Sequence, residues 1–224
     1  MSTDEPQNMT DVQPGFQPAC GRDIAALQDP RPACVIGALS DAGEVGFATV
    51  IWVTPLSHSP AMVAFALREK SHTMGIIRET GRFSISVPPA DAEGVRLIEF
   101  CGGNTGHRVD KGAEVEHKLV SVTPAEGADD AQRDADSAGQ EPALDPGDDA
   151  ASDPEAALVP VLAHCYSWEA GTIDSIQPAG DHLLAIGTIT RAETRAPRND
   201  RGQLIPQDGL LCVQHGHYAT CAPL

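Results

Sequence analysis

Cations are scarce in this 224-residue sequence: 15 Lys and Arg stand against 32 Asp and Glu, for a net charge of −17. Binding a phosphate backbone takes a cluster of Lys and Arg, and none is present, so no nucleic-acid partner is expected. No apolar run approaches the eighteen residues of a membrane span, so no membrane partner is expected either. The opening Met1-Ser-Thr-Asp-Glu-Pro6 has neither a basic nor an apolar segment of the kind a secretory signal needs. Six cysteines occur, at 20, 34, 101, 165, 212 and 221, but no C-x-x-C pair. Free thiols in a reducing cytoplasm are the expected state.

The acidity is concentrated. Residues 121–157 hold eleven Asp and Glu against the single Arg133 and so carry −10 of the net charge. This stretch is rich in Ala, Gly, Pro and Ser and cannot bury enough apolar surface to offset its ordering entropy. It is expected to be a disordered insertion within one domain spanning 19–224, preceded by a flexible arm at 1–18. A solvated tether is its plain reading, and an electrostatic patch for a basic redox partner protein the alternative.

The sequence as a whole is 41% hydrophobic, enough for a core. Strands are expected at Ala33–Ser40, Gly46–Thr54, Met62–Leu67 and Arg82–Val87, with Asp41-Ala-Gly43 as a tight turn between the first two. Further strands are expected at Val159–Trp168, Thr172–Ile176, His182–Arg191 and Leu210–Val213. Helices are expected at Ser71–Thr80, stopped by Gly81, from Asp91 to Gly102-Gly103, and briefly near Asp110. Many short strands with few short helices point to an all-β barrel with helical decoration.

Two stretches carry the chemistry. Phe47–Pro60 begins β-branched and apolar and ends in hydroxyls around Pro55. Ser71-His-Thr73 heads a short helix, where unpaired N–H groups and the helix dipole favour an anion. A strand edge beside a phosphate-sized anion site suggests a nucleotide-like cofactor. Ser71 and Thr73 could equally be caps with no anion, and His58 and His72 ordinary loop histidines.

Four blocks, in order over about residues 32–191, resemble the flavin reductase-like family, the FMN-binding split β-barrel proteins that include flavoredoxins. They are Trp52-Val-Thr-Pro-Leu-Ser57; Ser71-His-Thr73 with Ile77-Arg-Glu-Thr-Gly-Arg-Phe83; Phe100-Cys-Gly102 with Thr105-Gly-His-Arg-Val-Asp-Lys111; and Gly180-Asp-His-Leu-Leu-Ala-Ile-Gly187. The resemblance implies a mostly β fold, a six-stranded Greek-key split barrel that forms homodimers. It also implies FMN as cofactor and NADH or NADPH as electron donor, for flavin reduction or electron transfer to an acceptor.

Carried over by position, Thr49, Trp52, Val53 and Thr54 would line the isoalloxazine edge. Ser57, Ser71, His72 and Thr73 would surround the phosphate, with Lys111 as a nearby point charge. Gly102, Asn104, Thr105 and Gly106 would form the tight loop that approaches the cofactor through its backbone. Reduced flavin gains negative charge, so a lysine or N–H dipole nearby would tune its potential. No side chain is required as acid, base or nucleophile, and none is assigned as catalytic.

The sequence departs from the family pattern at Phe47, where Asn is frequent, at His107-Arg108, which shifts the usual arginine by one place, and at His217, which replaces an Arg. Cys212, His215, His217 and Cys221 match no common metal spacing, and no metal is expected. There is no G-x-G-x-x-G to mark a dinucleotide site. Two other functions remain open: a non-enzymatic FMN-binding electron carrier, and a flavin-free barrel serving as a binding module.

Overall fold

The first half of the long apolar run and its second half lie on opposite edges of one sheet. In the computed structural model, which describes residues 22–123, 157–205, 209–214 and 216–220, the run is split by Ile51 and Trp52. It makes strands β3 (Val45–Val50) and β4 (Val53–His58) rather than the single strand expected over Gly46–Thr54. The chain enters through helix α1 (Arg22–Ala26), strand β1 (Arg31–Pro32) and strand β2 (Cys34–Leu39). After β4 come β5 (Ala61–Arg68), α2 (His72–Thr80), β6 (Arg82–Val87), α3 (Ala92–Gly103) and α4 (Lys111–Glu114). The remaining strands are β7 (His117–Ser121), β8 (Leu158–Leu162), β9 (Ser167–Ala179), β10 (His182–Thr194), β11 (Leu211–Gln214) and β12 (His217–Ala219).

The main sheet is antiparallel throughout, in the order β3-β2-β6-β9-β10-β5-β4. Because β3 and β4 are separated by only two residues, its two edges must come together at that corner. Counted as one bent strand, β3 and β4 reduce the seven to six, and the fold is mostly β, as expected.

Two cores lie on opposite faces of the central strands. Alternation along β2 sends Cys34, Ile36 and Ala38 into one, with Phe65, Phe83 and the α2 residues Met74, Ile76 and Ile77. Val35 turns to the other, with Phe47, Trp168 and the α3 residues Leu97, Ile98 and Cys101. The α3 positions Gly94, Leu97, Ile98 and Cys101 are one helical stripe, and each fully buried Leu or Ile there contributes roughly 1.5–3 kcal/mol.

Two expectations are corrected. Val159–Trp168 is not one strand: it breaks after Leu162, where Ala163 N donates to Glu116 O, and β8 and β9 belong to different sheets. β8 pairs instead with β7, a strand not expected from the sequence, since His117–Ser121 is short and half-exposed and its partner lies beyond the acidic stretch. Val122 N donates to Ala157 O at 2.9 Å, so the two ends of that stretch are held together. The expected arm at 1–18 and residues 124–156 of the expected insertion lie outside the described residues, as do His215 and Cys221.

Candidate functional site

Helix α2 starts as its sequence demands. Ser71 is extended (φ −66°, ψ 128°) and its Oγ accepts from Met74 N at 3.4 Å; Gly81, at φ 68°, ends the helix in the left-handed conformation that a Cβ would disfavour. The first turn contains no acidic residue, and the N–H groups of His72 and Thr73 point past the helix start, where no earlier helical carbonyl can accept them. Thr73 is buried and packs on Gly46. His72 Nε2 lies 3.0 Å from Glu44 Oε1 but without the alignment of a hydrogen bond, and its ring meets that of His107 edge to face at 4.8 Å.

The loop after α3 closes over this helix start. Asn104 caps α3, its backbone N and Nδ2 both donating to Phe100 O, and Thr105 O accepts from Arg108 N and Val109 N to form the turn. Thr105 Oγ1 accepts from His107 N at 3.4 Å. Gly106 rests directly on His72: a Cβ there would lie 2.5 Å from the imidazole, so only glycine lets the loop approach this closely. Behind it, Gly102 packs on Thr49, whose hydroxyl donates to Ile98 O at 2.6 Å.

Lys111 was expected as a charge beside the phosphate, but the structure turns it inward. Its side chain is 3% exposed, and Nζ donates to Phe47 O at 2.6 Å and Cys101 O at 2.7 Å. Both acceptors need it. Phe47 is on an edge strand, and Cys101 is in the last turn of α3, where carbonyls lack helical partners and the dipole favours a cation. Burial lowers the ammonium's pKa, and the two charge-assisted bonds hold it in place. Lys111 therefore fastens the end of α3, and with it the 104–107 loop, to β3. Asp110 caps α4 by accepting from Ala113 N at 3.1 Å. At Phe47, where the family often has Asn, the ring is buried and packs edge-on to His117.

Trp52, Val53 and Thr54 meet a second feature, a cavity of about 610 Å³ walled by those three residues with Ala64, Ala66 and Leu184 of the adjoining strands. Trp52 is 38% exposed, and its indole rests on the His182 ring at 4.6 Å. His182 Nδ1 lies 2.7 Å from Asp181 Oδ1, and this hydrogen bond holds the Asp181 carboxyl below its usual range. Ser57 and His58 lie further along β4, opposite Met62 and Ala61.

Strand β5 and the turn after it link the cavity wall to the helix start. Trp52 O accepts from Ala66 N, His182 pairs with Arg68, and Ser71 N donates to Arg68 O at 2.9 Å in the turn that leads into α2. The structure thus brings Ser71, His72, Thr73, Asn104, Thr105 and Gly106 together, with Thr49 and Gly102 packed behind, while Trp52, Val53 and Thr54 line a cavity to which none of these residues contributes. Sequence reasoning missed Glu44, Arg31 and the stacking role of His182. Only His182 left a signal, in the Gly180-Asp-His block.

Among the described residues no group of three His, Cys, Asp or Glu could hold a metal ion. No described helix is long and apolar enough to cross a membrane.

The sequence profile of the flavin reductase like domain matches residues 28–221. The chain belongs to the flavin reductase-like family. Solved structures of similar fold include an FMN-binding protein from Thermus thermophilus, 21% identical, covering 99% of this chain and 97% of its own with a TM-score of 0.65. A flavoredoxin from Methanosarcina acetivorans is 18% identical over 87% of each chain, with a TM-score of 0.62. The NADH:FAD oxidoreductase of Streptomyces globisporus is 16% identical over 98% of this chain and 100% of its own, with a TM-score of 0.60. These solved structures share the fold of this chain.

Proposed function

We propose that this flavin reductase-like protein binds FMN and passes electrons from NADH or NADPH to flavin or an acceptor, acting as a cytoplasmic homodimer. The observation that carries the reading is an α2 N-terminus covered by the Gly106 loop, joined through β5 to a cavity walled by Trp52. The residues present fit the group. A helix start with free N–H groups and no acidic side chain in its first turn suits a phosphate, and a cavity walled by an indole suits a planar ring.

In this reading the backbone N–H groups of His72 and Thr73 and the hydroxyls of Ser71 and Thr105 bind the phosphate, while Ser57 lies further out along β4. Trp52, Val53 and Thr54 orient the ring. Lys111 and Thr49 act behind the site, holding the 102–106 loop in place. When bound, the flavin supplies the redox chemistry; the protein contributes binding, orientation and the exclusion of water. The exposed apolar side chains Ile24, Leu27 and Leu56 support a second copy covering this side of the molecule.

The test is oxidation of NADH and of NADPH by the purified protein with excess FMN. Turnover proportional to protein supports the reductase. Tight flavin binding without turnover of free flavin would make the protein a carrier, and neither binding nor turnover would overturn the proposal.

A further inference from the structure

Arg31 is the single charged residue lining the 610 Å³ cavity among the described residues; the rest of the lining is apolar, aromatic or uncharged. Its side chain is only 13% exposed, so the charge is largely withdrawn from water. Its partners leave much of it unused. Nη2 donates to Ala25 O, and Nε lies 3.5 Å from Asp29 Oδ1, an oxygen that is itself buried without a hydrogen-bond partner. A guanidinium has five N–H donors in a planar fork suited to carboxylate and phosphate oxygens, and these contacts occupy at most two. The Trp52 indole, braced by His182, and Thr54 line the same cavity. The volume falls within the range of small-molecule sites.

We propose that this cavity binds a planar aromatic or heteroaromatic ring carrying an anionic group, with Trp52 as the ring's wall and Arg31 as the counter-charge. A cation largely withdrawn from water in a cavity it shares with an indole selects such a ligand over a neutral ring of the same shape, because its charge is screened less than at the surface. Two sources share this chemistry: the flavin ring when reduced and anionic, and a separate aromatic acid. The first rests on the FMN reading above; the binding of an anionic ring does not.

The experiment uses the full chain and two probes of matched shape, 4-hydroxybenzoate and 4-hydroxybenzamide, with affinities read from tryptophan fluorescence. The acid should bind at least about tenfold more tightly than the amide, the scale of one added charge-assisted hydrogen bond. Arg31→Gln should abolish that preference and Arg31→Lys restore most of it, with unchanged circular dichroism. Trp52→Ala should weaken both probes. Equal binding of acid and amide by the unaltered protein would overturn the proposal even if R31Q failed to fold, as would a preference that survives in R31Q. Competition separates the sources: displacement of the acid by FMN makes the cavity the flavin's own, and simultaneous binding supports a separate aromatic acid. Acid binding through Arg31 in a protein that does not bind FMN would uphold this site and defeat the flavin reading.

Discussion

β3 and β4 are consecutive in the chain, separated by Ile51 and Trp52 alone, yet their surroundings differ almost completely. β3 lies under helices α2, α3 and α4: Phe47 is buried, Thr49 is bonded to α3, and the outward carbonyl of Phe47 is taken by Lys111. β4 lies on the opposite edge with Thr54, Pro55 and Leu56 exposed and a cavity beside it. Their sequences differ in the same sense: Val45–Val50 is apolar but for Thr49, whereas Val53–His58 carries Thr54, Pro55, Ser57 and His58. What separates them is the bend at Ile51–Trp52, which sends one half under the helices and leaves the other beside the cavity. The scaffold and the proposed binding surface are thus neighbouring parts of one stretch of sequence.

The strongest way to break this comparison is to truncate one side chain on each half. Phe47→Ala should destabilise the protein by about 3–5 kcal/mol through the cavity it leaves. Leu56→Ala, at 50% exposure, should stay within about 0.5 kcal/mol. Urea denaturation of both variants makes the check, and similar losses would mean that the two halves are equally structural.

Lys111→Met comes next. Two buried carbonyls lose their donor, and a loss of about 2–3 kcal/mol is expected in the same assay. If Lys111 instead served the phosphate directly, stability would barely move while FMN affinity collapsed.

Much of this was legible beforehand. The caps Ser71, Asp91 and Asp110 and the stop at Gly81 follow from local chemistry, and each is where the sequence put it; of the apolar strands, Gly46–Thr54 and Val159–Trp168 are each divided in two. The family was also legible, because four weak blocks in order are jointly specific. What escaped depended on long-range contact. Lys111 reads as a surface charge until the edge strand and the helix end are seen to present two bare carbonyls to it. β7 has a partner only across the acidic stretch, and Arg31 faces the cavity only once α1 and β4 are side by side.

Gly106→Ala sharpens the functional side. The added methyl would lie 2.5 Å from the His72 ring, so the loop must lift from α2. FMN affinity should fall about tenfold, with stability reduced by roughly 1 kcal/mol. Unchanged affinity in a flavin titration would remove this loop from the site.

The smallest effect concerns the support of β3 by α3. Asp91 caps that helix by accepting from Gly94 N at 2.7 Å, and this bond, with His164 assisting, holds its carboxyl below the usual 3.8. The folded state therefore binds the proton less readily than the unfolded chain. The stabilisation is present above the unfolded value and is lost as pH falls through the folded one. Asp91→Ala should cost about 1 kcal/mol at pH 7, and the gap between the two proteins should close on acidification. A gap that is constant with pH would show that the carboxylate is not what caps α3.

The account rests most heavily on a flavin lying between the α2 N-terminus and the Trp52 wall, and an FMN titration of the purified protein, followed by flavin absorbance, tests it most directly. The account predicts saturation near one FMN per chain with a perturbed flavin spectrum, and weaker binding of riboflavin, which lacks the phosphate. A spectrum identical to that of free FMN across the titration, or equal affinity for riboflavin, would contradict it.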